Sequence, residues 1–243
     1  EEAALYQQRY LDLLSSLTAA AHHWEIVPLI DTDHLGAIPR VHASLKLTAL
    51  YSQFDALAPE QSAAQVKERL RPLFRAAQAS HAFLTVDMEQ YRYKDLTLRI
   101  FKEILGEDEF RTWPHAGIVL QAYLRDTEED LRDLLAWAKS RSAPIGVRLV
   151  RGAYWDYETV AARQRGWPIP VFTSKWETDE NFERLTVMLL EHTQYVRPAI
   201  ATHNVRSIAH ALATSQCLNL PPRAVEFQML YGIRRDLQEK LAK

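Results

Sequence analysis

Two hydrophobic periods alternate along this chain, and their alternation limits what it can fold into. Short segments of β character stand at Val41–Leu47, Phe83–Met88, Gly117–Tyr123, Ile145–Val150, Ala199–Thr202 and Val225–Leu230. Apolar stripes at helical spacing lie around them. These run through Tyr6, Tyr10, Leu13, Leu14 and Leu17, then Val66, Leu70, Leu73, Phe74 and Ala77. Others follow at Leu131, Leu134, Leu135 and Ala138, at Leu185, Met188 and Leu189, and at Val205, Ile208, Ala209 and Leu212. A strand-then-helix order with most repeats near about 30 residues predicts an α/β fold with a parallel sheet. Thr127 with Asp130 predicts a capping box, and Asn204 an N-cap. No low-complexity linker or charge block interrupts residues 1–243, so one domain is expected. Gly152 to Thr178 is too long for a plain connection, and such a stretch is more often functional than idle.

Polar residues keep a parity within these strands. His42, Ser44 and Lys46 share one face, opposite Val41, Ala43, Leu45 and Leu47. Thr85 and Asp87 oppose Leu84, Val86 and Met88; Gln121 and Tyr123 oppose Leu120 and Ala122. Arg148 opposes Val147 and Leu149, while Glu226 and Gln228 oppose Val225, Phe227 and Met229. A charged or amide side chain thus stands near the C-terminal end of each strand. In a barrel that face is the interior, and active sites sit at the C-terminal rim. The alternative is an open sheet with one solvated face, a face parallel sheets seldom leave bare. Lys46, Asp87, Arg148 and Glu226 read either as a structural ion-pair network or, with Gln121, Gln228 and His203, as a ligand-binding rim.

Composition removes other classes. The 243 residues suit a single α/β barrel of about 250. With 47% hydrophobic residues, the chain can bury a core. Its 29 basic and 31 acidic side chains leave a net charge of −2, no basis for nucleic-acid binding. Cys217 alone excludes a disulfide framework and cysteine-pair zinc sites, and it reads as a bystander in a reducing, cytoplasmic setting. The acidic N-terminus does not read as a signal peptide, and charged or amide residues interrupt every apolar run. Gly-rich nucleotide loops, a G-x-S-x-G elbow and H-E-x-x-H are all missing, so no metal is expected. His22, His23, His192 and His210 read as helix or helix-end residues. Trp155 and Trp167 read either as core or as rings stacked on a flat ligand.

The strand ends resemble the proline dehydrogenase family. Ser44-Leu45-Lys46-Leu47-Thr48-Ala49-Leu50-Tyr51 is similar to that family's second strand. Arg148-Leu149-Val150-Arg151-Gly152-Ala153-Tyr154-Trp155-Asp156 is similar to its fifth, where Lys usually stands in place of Arg151. Ala201-Thr202-His203-Asn204 and Glu226-Phe227-Gln228-Met229-Leu230-Tyr231-Gly232 are similar to its sixth and seventh. The form resembled most is the dehydrogenase domain of the bacterial bifunctional proline-utilisation flavoproteins.

The resemblance implies a distorted (β/α)8 barrel that binds FAD and oxidises L-proline to Δ1-pyrroline-5-carboxylate. It also implies a quinone acceptor, peripheral contact with the inner membrane and, in bifunctional forms, a C-terminal aldehyde dehydrogenase domain. By matching positions, Asp87 and Arg148 form the active-site pair, with Arg148 near the flavin's reactive nitrogen. Lys46 contacts the substrate carboxylate, Tyr154 helps form the proline pocket, and Leu230 borders it. Val86, Gln121, Val150, Arg151, Gly152, Ala153, Trp155, Thr173, Lys175, Thr202, His203, Asn204 and Gln228 line FAD. Gly152 and Ala153 are expected to let the backbone approach the ligand, and the long connection to be its binding loop. The family's first strand and its Arg-Arg-x-x-Glu helix, which clamps the carboxylate, have no match. The chain therefore reads as strands two to seven of eight. Two other readings stay open: a flavin- or ligand-binding remnant with little activity, and a barrel enzyme acting on phosphorylated metabolites. A phosphate-binding Gly-rich loop would mark the last, and a yellow protein would mark bound flavin.

Overall fold

Helix α1 (Glu2–Ala21) opens the computed structural model, which describes residues 2–241. Its buried line is Ala3, Leu14 and Ala21, spaced by eleven and seven residues and hence stacked on one side of the helix. Tyr6, Leu13 and Leu17 of the expected stripe lie on the neighbouring, exposed line. The chain forms two compact units: Glu1–Ile118 with Arg141–Gly146, and Val119–Ser140 with Val147–Lys243.

In the first unit, the short α2 (Pro28–Asp31) leads into a two-stranded antiparallel hairpin, β1 (Thr32–Asp33) and β2 (Gly36–Ala37). Then follow β3 (Val41–Leu45), α3 (Leu47–Leu50), α4 (Pro59–Ala79), β4 (Ala82–Val86), α5 (Lys94–Leu105) and the start of β5 (Ala116–Gln121). The strands are parallel, with Val41 opposite Ala82, Leu45 opposite Val86 and Leu84 opposite Ala116. Pro59 stands in the first turn of α4, where its missing N–H costs nothing. Val66, Leu70, Leu73, Phe74 and Ala77 of that helix are fully buried, as their spacing predicts. Helix α5 was not among the expected elements, although Phe101, Ile104 and Leu105 carry the right spacing and are fully buried.

The second unit holds the end of β5, α6 (Thr127–Ser140), β6 (Ile145–Val150) from Val147 onward, α7 (Trp155–Arg165), α8 (Lys175–Leu190), β7 (Val196–Ala201), α9 (Val205–Cys217), β8 (Glu226–Gln228) and α10 (Arg235–Leu241). Its strands neighbour one another in the order β5, β6, β7, β8, and β7 pairs parallel with β8. Thr85 and Gln121 on the polar parity are each only 2% exposed, so that face is not solvated at these positions. Glu226, by contrast, is exposed.

Several expectations are corrected. The ladder ends at Leu45 and Val86, so Lys46 and Asp87 stand one residue past their strands. The stretch after β6 is not one extended loop, because α7 occupies Trp155–Arg165. The remainder folds back on β5's exit: Arg125 N–H donates to the Pro170 carbonyl and Phe172 N–H to the Tyr123 carbonyl. Thr127 is the first residue inside α6 rather than its N-cap, and its hydroxyl donates to the Gln121 carbonyl at 2.6 Å. The capping box stands instead at Ser174 and Glu177 of α8. Asn204 caps α9 as expected, accepting from the Arg206 and Ser207 N–H groups. His192 lies just beyond α8 rather than on it.

Phe74 meets Phe110 and Trp113 edge-on, with ring centroids 5.6 and 5.2 Å away. Phe74→Ala opens that cluster and is expected to cost about 3–5 kcal/mol. Urea unfolding of the two proteins measures it, and a loss under about 1 kcal/mol would mean that the cluster collapses onto the gap.

Candidate active site

Each unit gathers polar side chains where its parallel strands end. In the first, Lys46 is exposed and forms the N-cap of α3, while Val86 is buried and Asp87 half-buried. The Asp87 N–H donates to the Leu45 carbonyl at 2.8 Å, continuing the ladder by one bond. Three residues not anticipated from sequence join them. Glu89 binds the Thr48 hydroxyl. Burial pushes the Tyr10 hydroxyl above its ordinary range, and the Asp87 and Glu89 carboxylates add to this. A hydrogen bond with the Lys46 backbone and the Lys46 charge oppose the shift. Asp-x-Glu after a strand was the available signal for Glu89; Tyr10 had only its helical spacing.

In the second unit, half-buried Arg148 lies on β6, and Arg151 follows the strand. The Arg151 guanidinium donates to Asp179 at 2.8 Å, to the Thr202 hydroxyl at 2.7 Å and to the Ser207 hydroxyl at 2.7 Å. It also stands 4.5 Å above the Phe182 ring. One side chain thus joins the end of β6 to α8, the end of β7 and α9. Lys175 pairs with the same Asp179. Burial raises the Asp179 carboxyl, but hydrogen bonds from Lys175 and Arg151 outweigh it and hold the group below the usual carboxylate range.

The end of β7 continues this chain of contacts. Thr202 N–H donates to the Gln228 carbonyl, and the Thr202 hydroxyl accepts from Asn204 N–H. The Leu230 N–H donates to His203 Nε2 at 2.9 Å. An accepting Nε2 carries no proton, so Nδ1 bears it. The Gln228 amide donates to Glu226. The structure therefore brings Arg151, Thr202, His203, Asn204, Gln228 and Leu230 together through direct bonds. Gln121 is buried at the end of β5 and Val150 half-buried at the end of β6. Tyr154 is the half-buried N-cap of α7; Ala153, Thr173 and Lys175 are exposed. Trp155 is 40% exposed and donates its indole N–H to the Phe172 carbonyl, so it is a surface ring and not core. Trp167 is 61% exposed.

Gly152 has a reason within the protein itself. Its φ is +122°, and an added Cβ would lie 2.4 Å from the Tyr123 ring. The missing side chain makes room for Tyr123. Tyr123 N–H donates to the Arg151 carbonyl at 2.8 Å, which seats the turn on that ring.

Among the described residues no group of His, Cys, Asp and Glu could hold a metal ion, and no helix is long and apolar enough to cross a membrane.

The sequence model described as proline dehydrogenase matches residues 1–243. The bifunctional protein PutA of Salmonella typhimurium is 30% identical over 202 residues, 82% of this chain and 15% of that protein. A proline dehydrogenase of Deinococcus radiodurans is 30% identical over 224 residues, 90% of this chain and 62% of its own length. The crystal structure of proline utilization A from Bdellovibrio bacteriovorus, inactivated by N-propargylglycine, is similar with a TM-score of 0.97 and 47% identity. That likeness covers 99% of this chain and 25% of the other.

Two outcomes follow from this geometry. Gly152→Ala should cost about 1–3 kcal/mol from its backbone alone, with the Tyr123 clash added; thermal unfolding reads it. For Asp179, a folded pKa below the unfolded one means that its contribution is present above the unfolded value near 3.9. It is lost as pH falls through the folded pKa. Asp179→Asn should therefore be less stable at pH 7, with a shallower stability loss between about pH 5 and pH 3 than the parent. Equal slopes in urea titrations across that range would remove Asp179 from the acid response.

Proposed function

The chain belongs to the proline dehydrogenase family, and from that premise we propose that it oxidises L-proline to Δ1-pyrroline-5-carboxylate with FAD. The family implies a flavin; the dinucleotide is our reading. The observation that carries it is the set of cations, amides and an exposed indole at the strand ends. A flavin dinucleotide presents ring acceptor atoms, a flat π face and an anionic pyrophosphate, and it needs donors, cations and an aromatic or apolar wall. Arg148 on β6, Lys175 at the head of α8, exposed Trp155, and the bonded group of Thr202, His203, Asn204 and Gln228 supply that chemistry. The residues fit the group. Val86, Gln121, Val150, Arg151, Gly152, Ala153 and Thr173 complete the proposed lining. We read residues 1–243 as a single proline dehydrogenase-type α/β domain.

Bound flavin supplies the two-electron acceptor for a hydride leaving the carbon next to the proline nitrogen. Lys46 pairs with the proline carboxylate and so fixes which end of the substrate faces inward. Tyr154 and Leu230 wall the ring. Arg148, held in place by β6, would stand beside the flavin and stabilise the negative charge of its reduced form. Asp87 acts at the same step. The proline nitrogen would release its proton to solvent, so with the hydride the substrate loses two electrons and two protons overall. A quinone takes the electrons onward, with the protein cytoplasmic and touching the inner membrane peripherally. As the resemblance implies for bifunctional forms, an aldehyde dehydrogenase domain would follow in the intact protein.

Two measurements test this. Denaturing the flavin-loaded protein should release FAD, identified by chromatography, and release of none after reconstitution would sink the cofactor reading. Arg148→Met or Asp87→Ala should lower turnover tenfold or more, the scale of about 1.4 kcal/mol or above for lost electrostatic stabilisation. A protein that holds flavin but does not oxidise proline would be the ligand-binding remnant instead.

A further inference from the structure

The turn that carries Lys46 has a capping problem. Lys46 is the N-cap of α3, with extended backbone (φ −106°, ψ 133°) and no side-chain hydrogen bond to the helix. An ammonium has donors only, so it cannot accept from the N–H groups of the first turn. The acceptor comes from another segment. Glu89, two residues beyond Asp87, receives the Thr48 hydroxyl at 2.9 and 2.7 Å from its two oxygens, and the Thr48 N–H at 3.4 Å. On the other side of Lys46, the Leu45 carbonyl receives the Asp87 N–H at 2.8 Å. The Lys46 turn and the Asp87 segment are thus stitched together both before and after Lys46. The Tyr10 hydroxyl meets the same group, feeling Asp87, Lys46 and Glu89 together.

We propose that Glu89 is a positioning residue for the substrate: by capping the turn at Thr48 it fixes the backbone from which Lys46 reaches the proline carboxylate. The proposal rests on the reading of Lys46 given above. A lysine on a loose turn keeps its charge and loses its place, which weakens ground-state binding while leaving the flavin-side chemistry of Arg148 alone. A purely electrostatic role for Glu89 has the opposite sign. Removing an anion beside Lys46 would then strengthen its pull on a carboxylate and lower KM.

The test compares Glu89→Ala, Thr48→Val, Thr48→Ser and Lys46→Met in the full-length protein loaded with FAD. Positioning predicts that Glu89→Ala and Thr48→Val raise KM for L-proline about tenfold with kcat changed by less than about threefold, tenfold corresponding to 1.4 kcal/mol. Flavin content and visible spectrum should stay those of the parent, and Thr48→Ser, which keeps the hydroxyl, should restore the parent KM. Lys46→Met should raise KM at least as far. Unchanged or lowered KM in Glu89→Ala and Thr48→Val, beside a raised KM in Lys46→Met, overturns the role of Glu89 alone. An unchanged KM in Lys46→Met overturns the reading of Lys46 and the proposal with it. Should Glu89→Ala fail to fold, the Thr48→Val and Thr48→Ser pair decides.

Discussion

The Arg151 guanidinium ties the second unit's strand ends to its helices, and the order of that whole region depends on it. Five fixed N–H donors on a planar group can serve three acceptors at once, and here they serve Asp179, Thr202 and Ser207. A lysine here would gather its three donors on one compact ammonium, without the planar fork that spreads the Arg151 bonds over three partners. Charge-assisted bonds of this kind are worth about 1.5–3 kcal/mol each, and two of the acceptors, Thr202 and Ser207, are buried. Thr202 then passes the restraint on, to Gln228 through its N–H and to Asn204 through its hydroxyl. A residue expected to line the cofactor thus spends its guanidinium on the protein.

How much of this was legible in sequence follows from what each signal measures. The alternation of Val147 and Leu149 with Arg148 gave β6 its bounds, because ladder and parity end together there. At Lys46 and Asp87 they part: the side-chain alternation continues for one residue after the hydrogen bonds of the strand stop. Parity reports facing, not pairing, so it overshoots. Helix α7 was invisible because its apolar residues do not gather on one face, and it leaves Trp155, Tyr157 and Val160 exposed. The capping box of α6 failed by position: the helix begins at Thr127 itself, so that residue lies inside the first turn, where its hydroxyl donates to the Gln121 carbonyl. The resemblance supplied candidate roles, but Glu89, Tyr10 and Asp179 escaped it, because their importance lies in contacts made across the fold.

Gly152 shows how one residue type supports two physical explanations. A glycine beside a ligand site suggests close approach of the ligand, and its positive φ is compatible with that. The atom nearest to a built Cβ belongs to Tyr123, and two further ring atoms lie within 2.6 Å. The packing of Tyr123 alone thus already requires glycine here. Burial pushes the Tyr123 hydroxyl well up, with Glu158 adding to it, so this tyrosine stays neutral and acts as a rigid post. Its backbone accepts from Phe172 and donates to Arg151, so post and turn are fixed from both sides.

The two units solve the same problem in one way. Each presents a residue where local rules disfavour it: a lysine at a helix N-cap, a guanidinium at the end of a strand, a backbone at φ +122°. In each case a neighbour distant in sequence makes up what the local chain lacks: Glu89 for the missing cap, Asp179 for the missing countercharge, Tyr123 for the missing packing. The compensating groups are less exchangeable than they look. A glutamate that accepts from both an N–H and a hydroxyl cannot become glutamine without turning an acceptor into a donor, and an aspartate shared by Arg151 and Lys175 cannot become asparagine without losing both charge pairs. Specificity of position at the strand ends therefore resides as much in these carboxylates as in the cations they hold.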